Sequence, residues 1–236
     1  CPATDSTVYF SRGATIEVTE GEATISGMLN ISCDNAGNSV GKGATIRVDE
    51  GATLNLPGSI AYGKNGKTFA LTYTGGGTVN VTGENSYHTY TETIVDEGMT
   101  FIMNGSHIAP DENTLKPYTI KAGATLAGSG TINRAVTFNE GTVVVADGQA
   151  LTLGAVTSTS TVIEVTAEAD ALLVDGDDMV TVFTSTGELT ASQYTVAPEY
   201  TLEVTSSSET VTDGEGNETT VTTYALVVKR VSFVTL

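Results

Sequence analysis

The six residues 51–56, GATLNL, carry the pattern that decides the fold. The glycine is followed two places later by a threonine and then by two apolar residues, Leu54 and Leu56, separated by one polar residue. This alternation is the period of a strand with one buried face. The same phrase returns four times downstream, at 76–81 (GGTVNV), 98–103 (GMTFIM), 123–128 (GATLAG) and 148–153 (GQALTL).

The copies keep a nearly constant spacing, because Gly51, Gly76, Gly98, Gly123 and Gly148 lie 25, 22, 25 and 25 residues apart. Near duplicates upstream, GATIEVTEG at 13–21 and GATIRVDEG at 43–51, extend the repeat towards the N-terminus. Short strands repeating at such intervals bury their apolar side by stacking as coils around a shared interior. The sequence therefore predicts an all-β fold, a parallel β-solenoid. An antiparallel sandwich or barrel is the alternative, since it also has short alternating strands with glycine turns.

The repeat assigns structural positions to particular residues. The five spaced glycines are expected at the corners of the coils, where φ is positive or backbones approach closely. A further glycine follows seven residues after four of them, at Gly58, Gly83, Gly105 and Gly130. The small residues two places after the corner glycines are expected to form one column along the stack, namely Thr53, Thr78, Thr100, Thr125 and Ala150.

The phrase GATL, with LTYTGGGTVNVTG at 71–83 and IKAGATLAGSGTI at 120–132, resembles repeats of bacterial autotransporter passengers and related surface β-helix adhesins. The resemblance covers about residues 11–155. It implies a right-handed β-helix, an extracellular or bacterial cell-surface location, and a role in adhesion or as a scaffold for other modules. Such proteins also carry an outer-membrane barrel, for which residues 156–236 leave no room, so we expect a fragment, a processed passenger or a barrel-less relative.

The phrase is lost after about Ser160, which divides the chain into repeats at 1–160 and a C-terminal module at 161–236. Residues 162–178 have modest helical character. Two β-rich runs, 200–212 and 219–230, flank a Gly-rich polar loop and predict a long hairpin. Because the end of a solenoid exposes unpaired backbone and apolar interior, this β-rich module is predicted to cap the repeats.

Charge restricts the partners. Acidic residues outnumber basic ones 28 to 10, for a net charge of −18, which repels phosphate backbones and anionic lipid, so nucleic acid is not an expected partner. No stretch approaches the roughly 18 apolar residues of a membrane helix, so membrane insertion is not expected. The remaining candidates are a host or matrix glycan or protein, and further copies of the chain that pair end to end through terminal strands.

The cysteines and acidic loops supply the other candidate sites. Cys1 and Cys33 form at most one disulfide; they could instead be two free thiols, or Cys1 could carry lipid after signal-peptide removal. No cofactor is predicted except calcium, because oxygen ligands suit a hard cation. Ordinary turn chemistry explains the same two loops, and the second departs from an EF-hand at Glu218 and Tyr224. The calcium candidates are Asp175, Asp177, Asp178, Asp213, Glu215 and Asn217.

Catalytic signals are sparse. The only histidines, His88 and His107, have no spacing that forms a triad and are expected to be solvated loop residues. Acids precede the corner glycines of alternate coils at Asp49, Asp96 and Asp147, with Thr74 and Lys121 between them. Charge spacing on a stacked rod explains this alternation, although carboxylates about 5 to 9.5 Å apart would also suit glycoside cleavage.

These observations predict a non-catalytic, secreted or surface-displayed β-solenoid whose role is structural and adhesive. A self-assembling extracellular filament or surface-layer subunit is the first alternative. The second is a polysaccharide-cleaving β-helix enzyme, either a lyase or a glycoside hydrolase.

Overall fold

The computed structural model describes residues 7–11, 13–32, 43–62, 69–84, 91–108, 117–146, 150–174 and 178–231. These parts of the chain contain one four-residue α-helix, α1 (Ala167–Asp170), a 3-10 turn (Ala191–Gln193) and 24 strands. The strands are β1 (Thr7–Ser11), β2 (Thr15–Val18), β3 (Glu22–Thr24), β4 (Met28–Ser32), β5 (Ala44–Val48), β6 (Thr53–Leu56), β7 (Ile60–Tyr62), β8 (Phe69–Thr74), β9 (Thr78–Val81), β10 (Thr91–Val95), β11 (Thr100–Met103), β12 (Ser106–His107), β13 (Tyr118–Ile120), β14 (Thr125–Ala127), β15 (Thr131–Ile132), β16 (Val136–Phe138), β17 (Thr142–Val145), β18 (Leu151–Leu153), β19 (Val156–Ser158), β20 (Thr161–Val165), β21 (Val180–Ser185), β22 (Tyr194–Val196), β23 (Tyr200–Thr212) and β24 (Glu218–Arg230).

The strands form four sheets through which the chain passes in rotation. Sheet I has the order β1-β4-β7, sheet II β19-β16-β13-β10-β8-β5-β2, sheet III β22-β20-β17-β14-β11-β9-β6-β3, and sheet IV β12-β15-β18-β21-β24-β23. A strand in sheet II is followed by one in sheet III. In most turns a strand of sheet I or, further along the chain, of sheet IV comes next, before the chain returns to sheet II beside the strand it left. The named strands from β1 to β22 pair with one another only in parallel, which confirms the all-β class and disagrees with the antiparallel sandwich.

The apolar residues of the repeat fill one core. On sheet III, successive rungs place Leu54, Val79, Phe101, Leu126 and Val143 in one register position, and all five are fully buried. Sheet II contributes a second buried column to the same cluster. Full burial of such a side chain stabilises the fold by about 1.5–3 kcal/mol. The second column consists of Ile46, Tyr73, Val95, Ile120 and Phe138.

The first glycines of the repeat lie at a corner with a left-handed backbone, with φ of 79° at Gly51, 84° at Gly76, 77° at Gly98 and 72° at Gly123. The next two rungs place Glu140 and Ser160 at the equivalent position, with φ of 59° and 82°. These are the only described residues other than glycine with positive φ. The left-handed corner backbone is therefore retained where the glycine is lost, at a cost in backbone strain.

The prediction that Ala150 continues the threonine column in the fifth copy of the repeat is wrong. Thr125 pairs with Thr142, only 17 residues further on, so Thr142 and not Ala150 continues the threonine column. Leu151 and Leu153 are buried as expected, but their strand β18 belongs to sheet IV. The phrase at 148–153 has the same pattern as the others because inward and outward residues alternate in every sheet. Gly148 itself lies outside the described residues.

The later glycines of the repeat have a different role, which is close backbone approach. A Cβ atom on Gly83 would lie 2.1 Å from the carbonyl oxygen of Gly58, and one on Gly105 would lie 2.1 Å from that of Gly83. Gly130 repeats the relation to Gly105 at 2.2 Å. Glycine therefore stacks on glycine at this position, leaving no room for a side chain.

Parallel pairing continues beyond residue 160, where the sequence placed a domain boundary. β20 pairs with β17, β21 with β18 and β22 with β20, all in parallel. The phrase disappears there because corner glycines are replaced, while the alternation of apolar residues persists. Within the described residues, α-helix is restricted to the four residues of α1, and no helix there has the length and hydrophobicity needed to cross a bilayer.

The predicted hairpin is present. β23 and β24 pair antiparallel from Tyr200↔Arg230 to Thr212↔Glu218, and the base of β24 pairs antiparallel with β21. Ala169 and Leu173, in and just after α1, and Leu189 are buried against the core near this end of the chain.

We predict that two glycine-to-alanine substitutions separate crowding from backbone strain. Gly83→Ala should lower the free energy of unfolding by about 3 kcal/mol or more, because its Cβ would penetrate a backbone carbonyl. Gly51→Ala should cost only about 1–2 kcal/mol, because φ is positive but no described atom lies within 4 Å. Urea unfolding measures both. Equal losses, or a neutral Gly83→Ala, would contradict the stacking of glycines.

The non-glycine corners should respond in the opposite direction. Ser160→Gly and Glu140→Gly should each raise the free energy of unfolding by about 0.5–1 kcal/mol, because glycine adopts positive φ without a steric penalty. Ser192→Gly is the matched control, since Ser192 in the 3-10 turn is exposed and its φ is not positive; it should cost about 0.5 kcal/mol. If all three variants are destabilised alike in urea titrations, the corner is not strained.

Candidate functional site

The outward face of sheet II carries a polar ladder, one side chain from each rung. The adjacent column on the same face is rich in threonine, including Thr45, Thr72, Thr119 and Thr137. The polar ladder begins at β2 and ends just after β19. It consists of Glu17, Arg47, Thr74, Asp96, Lys121, Asn139 and Thr159.

Contacts between neighbouring rungs hold the polar ladder together. The Lys121 ammonium donates to Asp96 Oδ1 at 2.9 Å, and the Thr74 hydroxyl donates to Asp96 Oδ2 at 3.2 Å. Arg47 lies 4.0 Å from a carboxylate oxygen of Glu17 and donates from Nε to Asp49 at 2.8 Å. The pKa of Asp96 is lowered, chiefly by the hydrogen bond from Lys121 and further by the charge of that ammonium and by smaller hydrogen bonds. Together these effects outweigh partial burial, which raises the pKa.

A groove of about 530 Å³ lies beside the C-terminal half of the polar ladder. An ammonium, an amide and carboxylates suit hydrogen bonding to a hydroxyl-rich ligand such as a glycan. Asp96 is held ionised by Lys121 and therefore cannot act as a general acid at neutral pH. The lining residues are Asp96, Glu97, Lys121, Ala122, Asn139, Glu140 and Thr159.

The ladder differs from the carboxylate alternation expected from the sequence. Asp96, Lys121 and Thr74 are on neighbouring rungs as expected. However, Thr74 pairs with Arg47 and not with Asp49. The reason is that two more residues separate the polar-ladder position from the corner glycine in β5 than in the next strand of sheet II. Asn139 occupies the rung after Lys121 because that coil is short, and Asp147 lies outside the described residues.

A second polar group lies inside the core. Arg134 is fully buried, with its guanidinium 4.7 Å above the Tyr118 ring, and it donates to Thr93 Oγ1 at 3.5 Å and to the Pro117 carbonyl at 3.3 Å. The Nδ1 atom of His107 is hydrogen-bonded to the Tyr118 hydroxyl. Burial, and secondarily the Arg134 charge, lowers the pKa of His107 to about 3. His107 is therefore neutral at physiological pH and has no access to substrate.

The expectation that His107 is solvated was wrong. The side chain points inward because His107 pairs in register with the buried Ile132 in sheet IV. Sequence reasoning also missed Arg134, which stands in a turn between two strands where an arginine is ordinarily exposed. Tyr118 could have been placed inward from the alternation of Tyr118 with Ile120. His88 lies outside the described residues.

The calcium candidates are used for turn formation where the structure describes them. The Asp213 carboxylate accepts hydrogen bonds from the backbone N–H groups of Glu215 and Asn217 and from the Asn217 amide, at 2.8–2.9 Å. Asp178 accepts from the Val174 N–H at 3.1 Å. The described parts of the chain contain no group of three or more His, Cys, Asp or Glu side chains that could hold a metal ion. Calcium binding stays a prediction.

The remaining sequence-derived candidates have no structural description. Asp175 and Asp177 of the first acidic loop, and both Cys1 and Cys33, lie outside the described residues. The disulfide and lipid-anchor hypotheses therefore stay predictions.

We expect Asp96→Asn to weaken the fold in a pH-dependent way. Because the folded-state pKa is lowered, the ionised carboxylate stabilises the fold above its unfolded pKa, and the benefit is lost as pH falls through the folded pKa. The pair is partly exposed, so the loss at pH 7 should be about 0.5 kcal/mol, vanishing well below pH ~4. Thermal melts from pH 7 to pH 3, with Glu164→Gln as control, test this. A pH-independent difference would contradict it.

His107→Gln should change the acid sensitivity of the fold. Because His107 stays neutral when folded and protonates when unfolded, wild-type stability should fall relative to the variant below pH ~6.5, by up to about 1.4 kcal/mol per pH unit, until pH approaches 3. Urea unfolding of both proteins at pH 7, 6, 5 and 4 measures the difference. Parallel pH profiles would show that His107 is not buried in the neutral form.

Comparison of the chain with protein-family models, with curated proteins and with solved structures gives no match. The resemblance of the repeat phrases to autotransporter passengers therefore stays a prediction. What can be said of function rests on the strand pairing, the polar ladder and the hairpin.

Proposed function

We propose that the chain is a right-handed parallel β-solenoid that serves as a non-catalytic structural and adhesive rod, secreted or displayed at a bacterial cell surface. The observation that carries the proposal is the pair of parallel ladders, seven strands in sheet II and eight in sheet III, through which the chain passes in rotation. Parallel strands joined by crossovers are right-handed in nearly all proteins.

Rigidity is the mechanism of such a rod. Each interior strand is hydrogen-bonded to the rungs on both sides, so the backbone bonds run along the stacking axis. Eight strands at ~4.8 Å spacing give a stack about 34 Å long. The apolar interior is continuous from rung to rung, and a net charge of −18 keeps neighbouring molecules apart. The groove beside the polar ladder supplies hydrogen-bonding groups for a glycan on the side of the rod.

A second candidate function is end-to-end assembly. The inward residues of the first rung, Ile16 and Ala23, are only partly buried, whereas Ile46 and Leu54 on the next rung are fully buried. Within the part of the chain that the structure describes, the N-terminal end of the stack therefore leaves apolar surface and strand edges that another chain could cover. Electron microscopy of concentrated protein distinguishes the functions, since assembly predicts filaments and the single rod predicts separate particles.

The location and the absence of catalysis are tested together. Antibodies raised against the whole chain should label intact cells of the source organism, and labelling only after lysis would contradict surface display.

Purified protein incubated with acidic and neutral glycans should release no new reducing ends or unsaturated products. Sustained turnover that is lost in an Asp96→Asn/Glu140→Gln double variant would overturn the proposal and establish the enzyme alternative.

A further inference from the structure

Among the described residues, no layer covers the outer half of the hairpin beyond Tyr224, which pairs with Ser185 of β21. We define the distal ribbon as residues 206–224, paired from Ser206↔Tyr224 to Thr212↔Glu218. Every residue from Ser206 to Val221 is exposed. Seven residue pairs at ~3.4 Å extend it by about 20 Å. A two-stranded ribbon with both faces in water is marginally stable alone, so the distal ribbon suits a third strand.

The base of the hairpin is firmly attached. The Tyr200 hydroxyl donates to Asp170 Oδ1 at 2.7 Å, and Arg230 pairs with the same carboxylate. Lys229 pairs with Glu203 at 2.7 Å. The two contacts of Asp170 join the foot of the hairpin to α1, and the contact of Lys229 with Glu203 joins the two strands of the hairpin to each other.

The hydrogen-bond pattern identifies which backbone groups of β23 face outward. The Asp213 N–H donates to the Asn217 carbonyl at 3.0 Å, immediately beyond the last register pair, Thr212↔Glu218, so Asp213 and Asn217 are a hydrogen-bonded pair. Antiparallel pairs alternate between hydrogen-bonded and non-hydrogen-bonded. The N–H and C=O groups of Ser206, Ser208, Thr210 and Thr212 therefore point away from β24. Among the described residues β23 is the edge of sheet IV, and no strand occupies that side.

This edge lacks the features that protect sheet edges. Between Val204 and Thr212 there is one charge, Glu209, and there is neither a proline nor a lysine. The register of β23 with β24 runs unbroken over 13 pairs, so no bulge turns the edge away. Proline, bulges and charges are what natural proteins use to keep an edge from pairing.

Charge decides what kind of strand fits. The distal ribbon contains Glu209, Asp213, Glu215 and Glu218, and no basic residue occurs between 206 and 228. A second copy of this chain would bring the same acidic ribbon and another net charge of −18, which opposes self-pairing. On one face, Glu209 lies opposite Val221 and next to Val211 along its strand, and both valines are substantially exposed. A partner strand with cationic and apolar residues alternating on that face is complementary.

We propose that the outer edge of β23, from Ser206 to Thr212, binds an extended, Lys/Arg-bearing polypeptide segment by strand addition. Backbone hydrogen bonds to the four outward-facing residues supply affinity, and Glu209 with the two valines selects the side chains. This inference does not depend on the role of the rod.

The probe is the peptide fluorescein-Lys-Thr-Val-Thr-Lys-Thr-Val-Thr-Lys-amide, and the whole chain is titrated into it while fluorescence anisotropy is measured. Thr210→Pro removes an outward N–H and should weaken binding at least about tenfold. Thr222→Pro is the matched control on the opposite edge, because Thr222 is an outward-facing residue of β24, and it should change affinity less than about twofold. Glu209→Gln should weaken binding and reduce its salt dependence.

Hydrogen exchange provides a readout that does not depend on a proline variant folding correctly. Bound peptide should slow exchange at the amides of Ser206, Ser208, Thr210 and Thr212, and leave those of Thr220 and Thr222 unchanged. Equal loss of binding in Thr210→Pro and Thr222→Pro, or equal binding of a peptide with proline in place of both valines, would overturn strand addition. So would a concentration-dependent dimer in sedimentation that Thr210→Pro abolishes, because the occupant would then be a second copy.

Discussion

Backbone hydrogen bonding between a strand and the equivalent strand one cycle later is the constraint on which the rest of the structure depends. Parallel pairing at ~4.8 Å spacing forces every position of the coil to repeat in register. An apolar residue then stacks on an apolar residue, as Leu54, Val79 and Phe101 do, and a glycine on a glycine, as Gly58, Gly83 and Gly105 do. The core, the corners and the surface ladders are consequences of this one relation.

The same constraint sets what the surface can do. Because side chains on one column are only a rung apart, like charges would repel, and the polar ladder places Lys121 against Asp96 and Arg47 against Glu17. The interior tolerates a buried guanidinium at Arg134 because ring, hydroxyl and carbonyl groups surround it. Where the parallel ladder ends, the hairpin departs from it, and among the described residues its strand β23 forms an unprotected edge of sheet IV.

The sequence predicted the parts of the fold that alternation and periodicity encode. The inward residues of β6, β9 and β11, the positive φ of Gly51, Gly76, Gly98 and Gly123, and the hairpin all follow from local pattern. The prediction failed where the spacing between equivalent strands changed. The alternating pattern of GQALTL is the same for a strand of sheet III as for one of sheet IV, so the sequence did not identify Thr142 as the next residue of the threonine column. It also failed for His107 and Arg134, since residue type argues for solvent and only the register with Ile132 and the packing on Tyr118 place them inside. The polar ladder was foreseen in part at Asp96 and Lys121.

Disulfide trapping tests the rung-to-rung pairing most directly. In a chain with Cys1 and Cys33 replaced by serine, cysteines are introduced in pairs on β6 and β9, whose register is Thr53↔Thr78 and Asn55↔Asn80. Cysteine Cα atoms about 4.4–6.8 Å apart can form a disulfide. The parallel stack predicts that Thr53→Cys/Thr78→Cys and Asn55→Cys/Asn80→Cys cross-link on mild oxidation, while Thr53→Cys/Asn80→Cys does not. Efficient cross-linking of Thr53→Cys with Asn80→Cys, and of Asn55→Cys with Thr78→Cys, would show antiparallel pairing and contradict the account.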